Sequence, residues 1–451
     1  MLACLCVLQG CTSPFAALSD QLRAQHQAGD FVGAAKLLDQ PDTIETFGER
    51  NQLLWLLDRG GVAMALNEDA TTVDKLELAE RAIEVHRELS PTEQAAQWVL
   101  NDTVVPYVAA PYEDMYVNVF KMLAQMERGQ LDGGATVEAR RLAHKSNILR
   151  DEYLRESKAL KEKAGSAYQA AQQSGEMKRY VTPTGGEFIE SPLGTYLTAI
   201  TFMKTGDREF QRVAGRRLLE AMRAQPKLFP NVDAASFAGL SEKAPDSANA
   251  LFVALTGCGP YLVADRIGPI AVYSLPVYFE LPRMVTRGSA VQSARAEAQD
   301  ESGTMHEVAT LRLVEDIGAV AQENFARELP LIYERTMVRY LVKAGATVGA
   351  SEVVAQTQQN SNTQWLIRSI GGLIGLAVLG TTEQADLRCW EFLPARAFVG
   401  TCVLPSDVRR VRLHYLDGGG QVVGSTAWRD VRFGPGPVSG QLATIVETTA
   451  K

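Results

Sequence analysis

Residues 7–14 read VLQGCTSP, and within them Leu8, Gln9, Gly10 and Cys11 follow the order of a lipobox. An apolar residue stands three places before the cysteine, a tolerant place follows, and a small residue comes last. The pattern has a chemical reason. The Cys11 thiol would take up diacylglycerol, a peptidase would cut before it, and Gly10 would leave that bond open to a membrane-embedded enzyme. Cys11 is therefore the expected lipidation site, and residues 1–10 read as a truncated lipoprotein signal peptide. MLACLCVLQG lacks the basic n-region of a secretory signal, which places the expected start of translation upstream of Met1. Thr12 and Ser13 follow the cysteine where an aspartate would favour inner-membrane retention, so the expected location is the outer membrane, facing the periplasm. Acyl chains contribute about 0.8 kcal/mol per buried CH₂, enough for anchoring without a membrane span.

Other reactive groups form no recognisable motif. The five histidines, His26, His86, His144, His306 and His414, are scattered singly, and neither HExxH nor CxxC spacing occurs, so no metal site is expected. SIGGLIGLAVLG has glycines but lacks the lysine and hydroxyl of a phosphate cradle, and there is no GxSxG elbow. Glu315 and Asp316 read as the start of a helix rather than as an acid/base pair. Cys258, in TGCGP, reads as a turn cysteine, while Cys389 and Cys402 could pair across two strands in an oxidising compartment. The expectation is a non-enzymatic chain without cofactors. A formal net charge of -8 gives no support to nucleic-acid binding, which normally shows a basic face. On the C-terminal strands Trp428 and Tyr415 are the aromatics that could offer a partner or glycan surface, whereas Trp390 reads as core.

The elements that must carry these residues divide the 451-residue chain. In SDQLRAQHQAGDFVGAAKLLDQP, Gly29 and Asp30 break two helical stretches, and Phe31, Ala34 and Leu38 fall at helix-face spacing. The same rhythm recurs in SPLGTYLTAITFMKTGDREFQRVAGRRLLEAMRAQP, with Gly206 and Asp207 at the turn, Tyr196, Ala199 and Phe202 before it and Ala214, Leu218 and Ala221 after it. More degenerate pairs run from NQLLWLLDRGGVAMAL into KLELAERAIEVHREL, and from YEDMYVNVFKMLAQMERGQ into VEARRLAHKSNILRDEYL. Such pairs predict TPR-like repeats or an irregular helical bundle. The mixed charges of 140–163 predict a solvated helix face, with Glu152 and Glu156 near Arg155 and Lys158. A long Gly- and Pro-rich loop, SGEMKRYVTPTGGEFIESPLG, should follow.

Near residue 246 the composition turns to β-branched and aromatic residues. Strands are predicted over 251–255 and 270–281, with Pro276 and Pro282 marking edges or bulges. A helix is predicted from Leu313, kinked or split at Pro330. WLIRSIGGLIGLAVLG, 365–380, is too short for the roughly 20 residues of a span and reads as a buried helix. RRVRLHYLDGGGQVVG carries a hairpin signal at 418–420, and FGPGPVSG closes the strand-rich end. The expected fold is therefore multi-domain α+β. It comprises a TPR-like helical domain over 11–235, a mixed strand/helix domain over 236–380 and a small β-rich domain over 381–451.

The early helices, YEDMYVNVFKMLAQMERGQ with EARRL, the strands around IGPIAVYSLPVYFELP, the helix VEDIGAVAQENFARELPLIYERTMVRYLVKAG and the phrase TEQADLRCWEFLPARAFVGTCVLP together resemble an uncharacterised family of bacterial lipoproteins with TPR-like helices. The resemblance spans nearly the whole chain after Cys11. EQADLRCWEFLPA is its most specific piece, with Trp390, Leu393 and Pro394 leading into C-terminal strands and Cys389 standing where the family has serine. Family members are often encoded beside lipoproteins similar to penicillin-binding-protein activators. This resemblance implies a role in envelope assembly, with envelope proteins, including other lipoproteins, as partners. The expectation is a protein-binding scaffold; a peptidoglycan or carbohydrate binder, and a cytoplasmic TPR-like adaptor should Cys11 carry no lipid, are the alternatives.

Overall fold

The computed structural model describes residues 13–87, 105–173, 190–224, 248–272, 275–333, 336, 385–431 and 442–451. Cys11, the helix expected over 365–380, most of the Gly- and Pro-rich loop before 190 and all of FGPGPVSG lie outside the described residues. The architecture is mixed: the N-terminal part is helical and the C-terminal part carries most of the strands, curled into one sheet.

Local chemistry explains where the helices begin and end. α1 (Pro14–Ala28) opens with Ser13 accepting a hydrogen bond from the Ala16 amide and Pro14 at its first position. It closes at Gly29, whose φ of 71° suits the residue without a Cβ. Asp30 then accepts from the Gly33 amide and starts α2 (Phe31–Leu38). After α3 (Pro41–Phe47) come the paired helices α4 (Gln52–Ala65) and α5 (Asp69–Arg87), then α6 (Pro111–Glu127) and α7 (Thr136–Gln173). In the last pair, α8 (Pro192–Lys204) ends at Gly206, with φ 82°, and Asp207 caps α9 (Arg208–Arg223) through the Phe210 amide. Tyr196, Ala199, Phe202, Ala214, Leu218 and Ala221 are all buried between these two.

The strands are β1 (Ala250–Thr256), β2 (Tyr261–Val272), β3 (Leu275–Val285), β4 (Ser293–Asp300), β5 (Met305–Asp316), β6 (Arg396–Cys402), β7 (Val408–Leu416), β8 (Val422–Ser425), β9 (Arg429–Asp430) and β10 (Ala443–Thr449). The main sheet runs β10-β1-β6-β5-β4-β7-β8, with β9 beside β7; β10 is parallel to β1 and the other pairings are antiparallel. β5 makes the curl: Leu311 pairs with Ala294 of β4, while the next residue, Arg312, pairs with Val399 of β6. Side chains span the two edges, Lys451 Nζ donating to the Val423 carbonyl at 2.7 Å and Arg429 Nη1 to the Val446 carbonyl at 2.9 Å. β1 is buried on both faces. Leu251, Val253 and Leu255 join the core shared with the helices, and Ala250, Phe252 and Ala254 face the interior of the curl with Val411, Leu413 and Tyr415. Such two-sided burial requires the continuous apolar run of ALFVALT rather than alternation.

Several expectations are revised. The stretch predicted as one strand over 270–281 belongs to two, since β2 and β3 form an antiparallel ribbon with a register shift between Ile267 and Ile270. Pro276 and Pro282 lie in this two-stranded sheet, where a missing amide is tolerated. Leu313–Asp316 finishes β5, and the helix α10 starts only afterwards, at 317–333, with Asp316 accepting from the Ala319 amide. Pro330 lies within that helix. β1, β4 and β5 share one sheet with the strands of 396–449, so hydrogen-bonded ladders join the stretches read as middle and C-terminal domains. The hairpin at 418–420 is present: Asp417 accepts from the Gly419 and Gln421 amides, and Gly420 has φ 77°.

Candidate functional site: the joint and the outer sheet face

Residues 385–395 lie in the helical layer and lead into β6. Two buried carboxylates receive the backbone of this segment: Glu113 accepts from the Trp390 amide at 2.7 Å, and Asp58 from the Glu391 amide at 3.0 Å. Glu113 also caps the start of α6 through the Ala110 amide and takes the Tyr107 hydroxyl at 2.5 Å. Trp390, 1% exposed, packs edge-on against Phe120 with ring centroids 5.4 Å apart, as its core reading requires. Gly61 of α4 makes room for it, since a Cβ there would lie 2.8 Å from Trp390 Nε1 and 2.9 Å from Phe392 Cβ.

Glu391 is the ionic centre of the joint. Arg23 of α1 holds its carboxylate from Nη2 at 2.5 Å and Nε at 3.1 Å, and Arg287 approaches at 3.7 Å. Both guanidinium groups lie against the Tyr261 ring, 4.7 and 5.4 Å from its centroid. The Glu391 carbonyl takes the Nδ1–H of His26 at 2.6 Å, which assigns the tautomer of that neutral ring. Burial, with Arg287 nearby, lowers His26 to about 3. Burial pushes Asp58 well above the usual carboxylate range, the Glu391 charge adding to it, and burial likewise raises Glu113. The Cys389 thiol, 3.9 Å from Glu391 Oε1, is raised by burial and then by the Glu391 charge; Cys258 is raised by burial too. Thiols kept protonated and enclosed are structural, not nucleophilic. This centre ties helices to sheet.

A second ionic cluster joins α5, α6 and α7. Glu77, Glu80 and Glu138 converge with the geometry of a cation site, and Lys121 supplies the cation. Its ammonium lies 2.5, 2.7 and 3.1 Å from those carboxylates. Lys145 reaches Asp114 at 2.6 Å and Glu80 at 3.3 Å, and Arg87 pairs with Asp114 and, at 2.8 Å, with Glu152. The charged run 140–163, expected to be a solvated face, is thus partly built into the interior: Lys145 is buried, and Glu152 pairs with Arg87 of another helix. Between α6, α7, α8 and α9 lies a cavity of about 20 Å³ beside Met115, Leu142, Thr198, Phe202 and Arg217. It has room for about one water molecule.

The outer face of β4 and β7 differs in being open. Arg412 pairs with Glu297 at 2.6 Å and lies over the partly exposed Trp428 ring at 4.5 Å from the centroid. Of the two aromatics expected at a partner surface, only Trp428 reaches it. Tyr415 is 3% exposed and faces the interior of the curl, because on β7 it shares the side of Val411 and Leu413. Cys389 and Cys402 are free cysteines, not the expected bridge: Cys389 belongs to the joint, whereas Cys402 ends β6 opposite Ala250. Arg23, Arg287 and Glu391 went unnoticed in the sequence. Arg23 and Glu391 are 368 positions apart, and the visible hint was charge set inside the apolar phrase DLRCWEFLPA. Comparisons with known protein families, with characterised proteins and with solved structures find no match for this chain.

Proposed function

We propose that this chain is a lipoprotein, anchored by acylated Cys11 to the outer membrane and facing the periplasm, that binds other envelope proteins as a scaffold. The observation that carries this reading is the position of α1 relative to the lipobox cysteine. Ser13 caps α1 and Pro14 opens it, so a capped helix follows the lipobox cysteine within three residues. An acylated Cys11 would hold that helix against the bilayer with almost no spacer. Among the described residues no helix is long and apolar enough to cross a membrane. The TPR-like reading is supported by the successive pairs α1/α2, α4/α5, α6/α7 and α8/α9, two of which turn on Gly-Asp. Stacked helix pairs provide grooved surfaces for protein segments and bring no chemistry of their own. The paired charges at the joint support a rigid platform. Photo-crosslinking from exposed helical positions in intact cells should give discrete adducts with envelope proteins; adducts with cytoplasmic proteins alone would leave the adaptor reading standing in its place.

A glycan-binding role is the second reading, favoured by the half-exposed Trp428 beneath Arg412. Retention on isolated peptidoglycan that disappears in Trp428→Ala would select it.

A further inference from the structure

Scaffolding makes no use of three side chains that converge on the outer sheet face. Register sets His414 of β7 opposite Ser425 of β8, and Glu297 of β4 opposite Arg412, two places along β7. Ser425 Oγ lies 2.7 Å from His414 Nδ1, and His414 Nε2 lies 3.2 Å from Glu297 Oε2. The geometry points to a nucleophilic serine: Ser425, activated by His414 and oriented through Glu297, accepts acyl groups from short, unhindered esters.

The direction of each hydrogen bond supports this assignment. Slight burial works to raise Glu297, but hydrogen bonds from His414 and Arg412 outweigh it and hold the carboxylate below its usual range. An ionised carboxylate only accepts, so His414 Nε2 carries the proton. In the neutral imidazole Nδ1 is then the lone-pair nitrogen, to which the Ser425 hydroxyl donates. Nucleophile, base and orienter therefore stand in the order that acyl transfer requires. Ser425 is exposed, whereas His414 is largely buried and fixed from both sides. Arg412, on the same face of β7, holds the Glu297 carboxylate that orients His414.

The step balances without an added oxidant or metal. Ser425 Oγ bonds to the ester carbonyl carbon as its proton passes to His414 Nδ1; the carbonyl re-forms, the C–O bond to the alcohol breaks, and His414 returns the proton to the departing alkoxide. Water, deprotonated by the same nitrogen, then releases the acyl group as a carboxylic acid and restores the serine.

The test uses the full chain with p-nitrophenyl acetate and, separately, a fluorophosphonate probe. The expected result is release of p-nitrophenol with one acetyl or phosphonyl adduct, mapped to Ser425. Ser425→Ala and His414→Gln should each lower the rate by about 100-fold or more, and Glu297→Gln by less. Ser425 is exposed, so Ser425→Ala should keep its circular dichroism and Tm, which separates lost chemistry from lost folding. Adducts at other residues, no adduct at all, or an unchanged rate in Ser425→Ala would overturn the assignment. None of these outcomes depends on lipidation or on envelope partners.

Discussion

The ionic cluster of α5, α6 and α7 and the outer face of β4, β7 and β8 use the same residue types in opposite settings. In the helices, Lys121 is 1% exposed and surrounded by three glutamates, and every contact serves another charge. On the sheet, Arg412 and Glu297 are hydrogen-bonded to each other and partly open to solvent, with His414 beside them. Removing a partner from the first leaves a stranded charge in low dielectric; removing one from the second leaves water to take its place. Burial, rather than residue type, decides which cluster holds the fold together and which remains available to a ligand.

The sharpest way to break this contrast is Lys121→Met. Glu77, Glu80 and Glu138 would lose the buried one of their two shared cations, the more exposed Arg141 remaining, and the expected cost is about 3 kcal/mol in urea unfolding. Arg412→Met should cost no more than about 1 kcal/mol in the same experiment. Equal losses would erase the distinction. At the joint, Glu391→Gln replaces the carboxylate held by Arg23 and Arg287, and should cost about 3 kcal/mol while leaving the circular dichroism of the folded state unchanged.

Titration gives a finer comparison, because buried carboxylates depart from their ordinary value in both directions. Burial alone would raise Glu80, but Lys145 and Lys121 hold it to about 2. Its contribution to stability is present above the ordinary value of 4.5 and is lost as pH falls toward 2. Burial raises Glu315 to about 7, even though it accepts from the Tyr116 and Ser191 hydroxyls and the Leu193 amide. For Glu315 the sign reverses: its contribution is fully present below 4.5 and is lost as pH rises through about 7. Glu315→Gln should flatten the fall in Tm between pH 5 and about 8 and leave the acid limb unchanged. The smallest effect belongs to the thiols. Cys258, Cys389 and Cys402 should all alkylate in urea without reductant, and Cys389→Ser should shift stability by less than about 1 kcal/mol.

What could be read from sequence was local. Gly29-Asp30 and Gly206-Asp207 announce their turns because a left-handed glycine followed by a capping aspartate is a property of adjacent residues. LDGGGQ announced its hairpin for the same reason. β4 escaped notice because its core side is built from small residues, Ala294, Ala296 and Ala298, which carry weak strand preference. Tyr415 was placed on the surface although Val411 and Leu413, at period two on the same strand, already marked its face as inward. The joint and the Ser425–His414–Glu297 relay were beyond reach for another reason. Each forms only when strands or segments far apart in the chain come into register, and no spacing rule encodes that.

The central claim is the anchor, and mass analysis of the N-terminus tests it most directly. The native gene would be expressed beside a Cys11→Ser control, and the protein recovered from fractionated membranes. The account predicts a chain that begins at an acylated Cys11 in the outer-membrane fraction, and an unacylated control released from it. An unprocessed, unmodified chain in the soluble fraction would contradict it.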